Sequence, residues 1–204
     1  MLSLFKFFDT EIQESISHYY FTNLREIFTS TLCAVAFFLI CYKGNGNKSI
    51  WKNDNLLTNI AGFMALGVAF IPTSPLEGAC MKCTFINFGL EWLHYVFAAV
   101  LFLIFSVLSI NVFTIGQQPN RNIPVSIFNE NHIYRFCGYS ILLFIVLIPF
   151  SLFKYSTLVF EALSLFMFGI SWLVKGRALG DQGIIGEKLY REHNTCNTVE
   201  MIEE

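Results

Sequence analysis

Residues 88–114 read FGLEWLHYVFAAVLFLIFSVLSINVFT. After Glu91 the stretch carries no Asp, Glu, Lys or Arg, and His94 is its one titratable imidazole. A bilayer's hydrocarbon core of about 30 Å takes roughly 20 helical residues, so this run is long enough to cross one, with some tilt or protrusion. Four further apolar stretches, 24–42, 56–71, 133–153 and 158–174, have the same character. Pro72 and Pro75 stop the second of these, which is short and would have to borrow loop residues. The pattern predicts an all-α fold: an integral membrane bundle of five transmembrane helices.

Composition agrees. Of 204 residues, 54% are hydrophobic and 14% charged, against about 25% charged in an ordinary soluble domain. The 23 phenylalanines suit surfaces facing lipid and neighbouring helices. A net charge of −2 offers no basic field for nucleic acid. The expected partners are membrane lipids, with a homo-oligomer or another membrane protein also open. No cofactor is implied.

The rest of the chain divides around the bundle. Residues 1–23 place Phe5, Phe8, Ile12, Ile16 and Tyr19 at helical spacing on one face, with Asp9, Glu11 and Glu14 elsewhere. This predicts an amphipathic helix, either lying in the membrane interface or capping the bundle end. Met1 to Phe8 does not read as a cleavable signal, because an acidic segment follows with no small-residue cleavage site. Loops 43–55 and 115–132, rich in Asn, Gly and Lys or Pro, read as exposed connections. No repeat or linker divides 24–174, so it is one transmembrane domain. Residues 175–204 form a polar tail ending in acidic residues, with a short helix expected near Glu187 to His193.

Lys and Arg orient the bundle. Lys6, Arg25, Lys82 and Lys154 fall on one side; Lys43, Lys48, Lys52, Arg121, Arg135, Lys175, Arg177, Lys188 and Arg191 fall on the other. The N-terminus is therefore expected outside and the C-terminus in the cytoplasm, in a bacterial inner membrane.

That orientation gathers polar groups near the outer leaflet. Ionisable residues inside spans are retained mainly where they are paired or used. His94 lies about two turns into its span and Glu161 about one turn into the last, counted at roughly 3.6 residues per turn. Glu91, His94 and Tyr95 share one helical face, as do Glu161 and Ser164. With Arg25 and Ser17 they form the expected polar pocket: His94, Glu161, Arg25, Ser17, Glu91 and Ser164. The pocket could lock helices, bind a lipid headgroup through the permanently charged Arg25 fork, or do general-base chemistry at His94 and Glu161. Ser17, His94 and Glu161 make a Ser–His–acid set in composition, without a Gly-x-Ser-x-Gly elbow. A catalytic zinc usually takes three protein ligands; His18 would have to join His94 and Glu161, and no motif spacing supports that set.

Two smaller signals complete the reading. Cys80 and Cys83 form a CxxC in the loop before the third span, without the βαβ pattern of a redox protein or a second ligand pair for zinc. A tight disulfide and two free thiols are both open. Ala61, Ala65 and Ala69 recur every four residues and predict close helix approach, inside the monomer rather than between copies.

Five stretches together, SISHYYFTNLREIF, AGFMALGVAFIPTSP, WLHYVFAAVLFLIFSVLS, HIYRFCGYSILL and FEALSLFMFGISWLVKG, resemble uncharacterised bacterial multi-pass membrane proteins of a domain-of-unknown-function family, itself distantly similar to DRAM-like membrane proteins. The resemblance covers most of residues 15–176. It implies that Ser17, Tyr19, Arg25, Pro72, His94, Arg135, Glu161 and Lys175 occupy the family's polar or special positions. It implies no reaction. The functional expectations are therefore a pocket for a lipid or small amphiphile, an intramembrane lipid hydrolase using His94 and Glu161, or a structural or partner-binding membrane protein.

Overall fold

The structure, a computed structural model, describes residues 10–44, 49–74, 90–114 and 130–176. All regular structure among them is helical. Five long helices follow in order: α1 (Arg25–Cys41), α2 (Asp54–Phe70), α3 (Glu91–Val107), α4 (Glu130–Leu147) and α5 (Ser156–Lys175). Among the described residues three helical segments are long and apolar enough to cross a membrane: Glu91–Val112, Glu130–Phe150 and Ser156–Lys175. α2 is apolar but shorter, and α1 has 17 residues. The chain is thus an all-helical protein with the marks of an integral membrane protein. Its outer faces agree, since Phe37, Phe63, Phe136 and Phe166 are all exposed.

The helix ends have local causes. α2 begins two residues before the apolar run because Asn53 caps it, accepting from the Leu56 N–H at 3.1 Å. It ends at Phe70, just ahead of Pro72, which can neither donate nor continue the helix. α3 runs on into a π-helical turn, Leu108–Val112, closed by the Phe113 N–H on the Leu108 carbonyl at 2.9 Å. α4 was expected to reach residue 153. It stops earlier, in a 3-10 turn at Ile148–Phe150 containing Pro149, and the chain reverses through Ser151 at φ 43°.

Each long helix packs on its neighbour in sequence, and α3 also touches α5. Between α1 and α2 the contact is close. Ala36, Ala61, Ala65 and Ala69 are fully buried within the one chain, so the alanine stripe serves packing inside the monomer. α1 meets α5 through Trp172, whose ring lies edge-on to Phe38 at 5.3 Å and to Tyr42 at 5.0 Å. Towards that end Phe105 of α3 stacks on Phe168 of α5 at 3.7 Å, and Phe113 meets Trp172 at 5.6 Å. Aromatic side chains therefore tie α1, α3 and α5 together at one end of the bundle.

The other end is covered by the N-terminal segment, and here the structure departs from expectation. Residues 10–15 are not helical; a 3-10 turn spans Ile16–Phe21 only. The continuous amphipathic helix fails because its backbone and serine groups are engaged elsewhere. Ser15 sits in extended geometry as the cap of the turn, and the Ile16 N–H goes to a side chain of α5. Local serine bonding of this kind competes with helix formation. Residues 1–9, the Cys80–Cys83 pair, loop 115–129 and the tail beyond Gly176 lie outside the described residues.

The α1–α2 contact is testable at Gly62. A Cβ there would meet the Ile40 side chain at 2.5 Å and the Ala36 carbonyl at 2.8 Å, whereas one at Gly169 would meet nothing within 4 Å. Gly62→Ala should lower stability by about 1–3 kcal/mol, as overpacking does. Gly169→Ala should leave it unchanged or raise it. Thermal unfolding of both variants in detergent checks this.

Candidate functional site

The site begins with backbone groups that helix ends leave unpaired. A helix finishes with carbonyls that have no intrahelical donor. Beyond the end of α2, the Ile71 carbonyl is such a group, and Pro72 after it has no N–H to offer its surroundings. The Nδ1 of His94, on α3, fills the vacancy at 2.6 Å. A carbonyl only accepts, so Nδ1 must carry the proton. In the neutral ring Nε2 then presents a lone pair. The Ser17 hydroxyl stands 2.8 Å from Nε2 and donates to it.

The opposite wall is built from the start of α5. Its Tyr155 cap makes no side-chain bond. The Leu158 N–H, one of the unpaired donors of the first turn, binds the Glu14 carbonyl instead at 2.9 Å. One turn on, the Glu161 carboxylate accepts from the Ser15 hydroxyl at 2.9 and 3.1 Å and from the Ile16 N–H at 2.8 Å. Ser15 Oγ in turn accepts the Ser17 N–H at 3.1 Å. Residues 14–17 therefore bridge α5 to α3, and they set Ser17 over His94.

Of the six expected pocket residues, three converge. Ser17 and His94 are buried, and with Glu161 they line one cavity of about 760 Å³. His94 and Glu161 are joined through the Ser15–Ser17 segment. The other three stand apart. Arg25 donates to the Tyr20 hydroxyl at 2.9 Å and lies over the same ring at 4.4 Å; it does not line the cavity. Glu91 accepts from Ser74 at 2.9 Å. Ser164 is fully buried one turn below Glu161. A catalytic Ser–His–acid triad is not formed either, because the acid position beside His94 belongs to the Ile71 carbonyl and Glu161 holds Ser15 and Ile16.

The cavity has two characters. Ser15, Ser17, His18, Thr73, His94 and Glu161 make its polar wall; Ala98, Ala99, Phe102, Ile145 and Ile148 make an apolar one. Small residues on α3 at 98 and 99 leave the space. The lining includes exposed residues, among them Ala99, Pro149, Ser151 and Lys154, so the cavity opens to the outside of the bundle. Thr73 donates to the Tyr95 hydroxyl at 2.8 Å, and both residues line the cavity. His18 also lines it. Burial pushes the His18 pKa below its ordinary value of 6.5, against an opposing pull from Glu14. Among the described residues no three His, Cys, Asp or Glu side chains are grouped to hold a metal.

Sequence reasoning missed Ser15 and the Ile71 carbonyl. The signals were present. Ser15 precedes a turn as a capping residue would, and Pro72 marks a helix end at the depth of His94. No family model, curated protein or solved structure matches the chain.

Two outcomes are expected. Glu161→Ala should free residues 14–21, since it removes the acceptor of the Ser15 hydroxyl and the Ile16 N–H, each such bond contributing about 0.5–1.5 kcal/mol. Amide exchange there should rise on the order of 10- to 100-fold, with α4 little affected. His18 should make docking of the segment pH-dependent. Its folded pKa is depressed, so below 6.5 the unfolded state takes up the proton first and stability falls with falling pH. The loss in thermal midpoint between pH 7.5 and 5 should be smaller in His18→Asn than in wild type.

Proposed function

We propose that the chain is a multi-pass membrane protein whose cavity binds a lipid or small amphiphile. The observation that carries this reading is the cavity's split lining: polar groups of the N-terminal segment, α3 and α5 on one wall, alanine and larger apolar side chains on the other, with exposed residues at its opening. An amphiphile matches such a site group for group. Its polar head meets Ser, Thr and His side chains, and its chain lies along Phe102 and Ile145. A water-soluble ligand would leave the apolar wall unmatched, and an alkane would leave the buried His18 Nδ1 without a partner. Lys154 at the rim supplies a cation near the head, in the place that Arg25 was expected to fill.

In this reading all five long helices cross the bilayer. α1 and α2 have 17 residues each, the lower end of the spanning range of about 17–25. The Lys and Arg distribution supports an outward-facing cavity, with the N-terminal segment at the outer interface and the C-terminal tail in the cytoplasm of a bacterial cell. A purely structural role for the polar cluster explains the Glu161 bonds, but it gives no use to an open cavity of about 760 Å³.

Native mass spectrometry of protein purified in mild detergent tests the reading. Wild type should carry one amphiphile mass per chain. Ala99→Trp fills the cavity from its exposed rim, away from the packed core, and should lose that mass while keeping its helical circular dichroism. A wild type without an adduct, or an adduct equally retained by Ala99→Trp, would overturn the proposal.

A further inference from the structure

We propose that Ser17 and His94 form a nucleophile–base dyad that cleaves a carboxylic ester of the amphiphile held in the cavity. The inference rests on the amphiphile reading and gives it a reaction and a substrate class.

Three observations carry it. The first is the direction of the hydrogen bonds. With Nδ1–H committed to the Ile71 carbonyl at 2.6 Å, Nε2 is the acceptor, and Ser17 Oγ–H at 2.8 Å is aimed at it. This is the tautomer and the separation a general base needs towards a hydroxyl nucleophile. The second is position. Ser17 is only 8% exposed, yet it lines the cavity. The third is fixation. The Ser17 N–H is held by Ser15 Oγ, which Glu161 holds in turn. A serine serving only as a helix lock needs neither an open cavity on its far side nor an orienting partner for its histidine.

The step balances as follows. Ser17 Oγ attacks the ester carbonyl carbon as its proton passes to His94 Nε2. The carbonyl π pair moves to oxygen, and the Tyr95 hydroxyl is a donor in the same cavity for the resulting oxyanion. The pair returns, the carbon–alkoxy bond breaks, and His94 gives its proton to the leaving alkoxide, releasing an alcohol. Water then attacks the acyl-serine with His94 again as base, releasing a carboxylic acid and restoring Ser17. An ester suits this dyad better than an amide. Ile71 orients the imidazole as a neutral carbonyl, without the negative charge by which an aspartate stabilises the imidazolium, and an alkoxide leaves more readily than an amine anion.

The test uses a long-chain alkyl fluorophosphonate on the full chain in mild detergent. Ser17 Oγ would displace fluoride from phosphorus. The expected result is one adduct per chain, mapped by peptide mass spectrometry to Ser17, at least about 100-fold slower in His94→Gln, in keeping with general-base contributions of roughly 10²–10⁴. Ser17→Ala should take up no probe while keeping the helical circular dichroism of wild type, which shows that the variant folds. Wild type that carries its amphiphile but leaves Ser17 unmodified would overturn the dyad and leave the binding reading standing. Labelling at another residue, or equal labelling of His94→Gln, would also overturn it. Neither label nor amphiphile in wild type would remove both readings.

Discussion

A carboxylate on an apolar helix has to find donors, and in this protein it finds them in the chain's own N-terminal segment. Glu161 sits one turn into α5, and Ser164 on the same helical face makes no hydrogen bond to it. Leaving a charge unpaired in a medium without water costs several kcal/mol. The Ser15 hydroxyl and the Ile16 N–H offset part of that cost, and the Glu14 carbonyl takes a free donor of the same helix. Three bonds within four residues pin the segment across the bundle end. The position of Ser17 follows from them, and so does the roof of the cavity.

The two ends of the bundle are built on different principles. At one end Phe105, Phe113, Phe168 and Trp172 fill the space between α3 and α5 by stacked, tilted and edge-on ring contacts. At the other, α3 offers Ala98 and Ala99, and α4 gives way to the Pro149 turn. With the helices held together by aromatics below and bridged by a short polar segment above, the gap between them persists as a cavity. The same asymmetry divides dispersion-driven packing from hydrogen bonding. Hydrogen bonding gives specificity at the end where a ligand could use it.

The positions of the helices were legible in the sequence to within a few residues, because apolar length and proline stops are local signals. The ends that moved did so for local reasons too, as with the Asn53 cap and the Ser151 reversal. The site was legible in its members but not in its wiring. Ser17, His94 and Glu161 could be picked out as polar groups at one depth. Their partners could not, since Ser15 and Glu161 are 146 residues apart and His94 and Ile71 are 23 apart, and no periodicity encodes such pairs. Arg25 shows the opposite failure. It reads as a headgroup ligand by chemistry, yet Tyr20, five residues earlier, claims its guanidinium through the turn that joins the 3-10 segment to α1.

The division of labour between charge and dipole follows from the same setting. A carboxylate beside His94 would need its own desolvation offset by further donors, and the buried segment offers few. The Ile71 carbonyl is there at no such cost, because ending α2 at Pro72 leaves it unpaired in any case. A neutral acceptor is enough to set the imidazole's tautomer and aim its lone pair at Ser17. The Glu161 carboxyl is kept on the far side of the segment, where it fixes backbone. Architecture thus draws on the buried carboxyl, and the candidate site draws on a dipole that the fold had already left over.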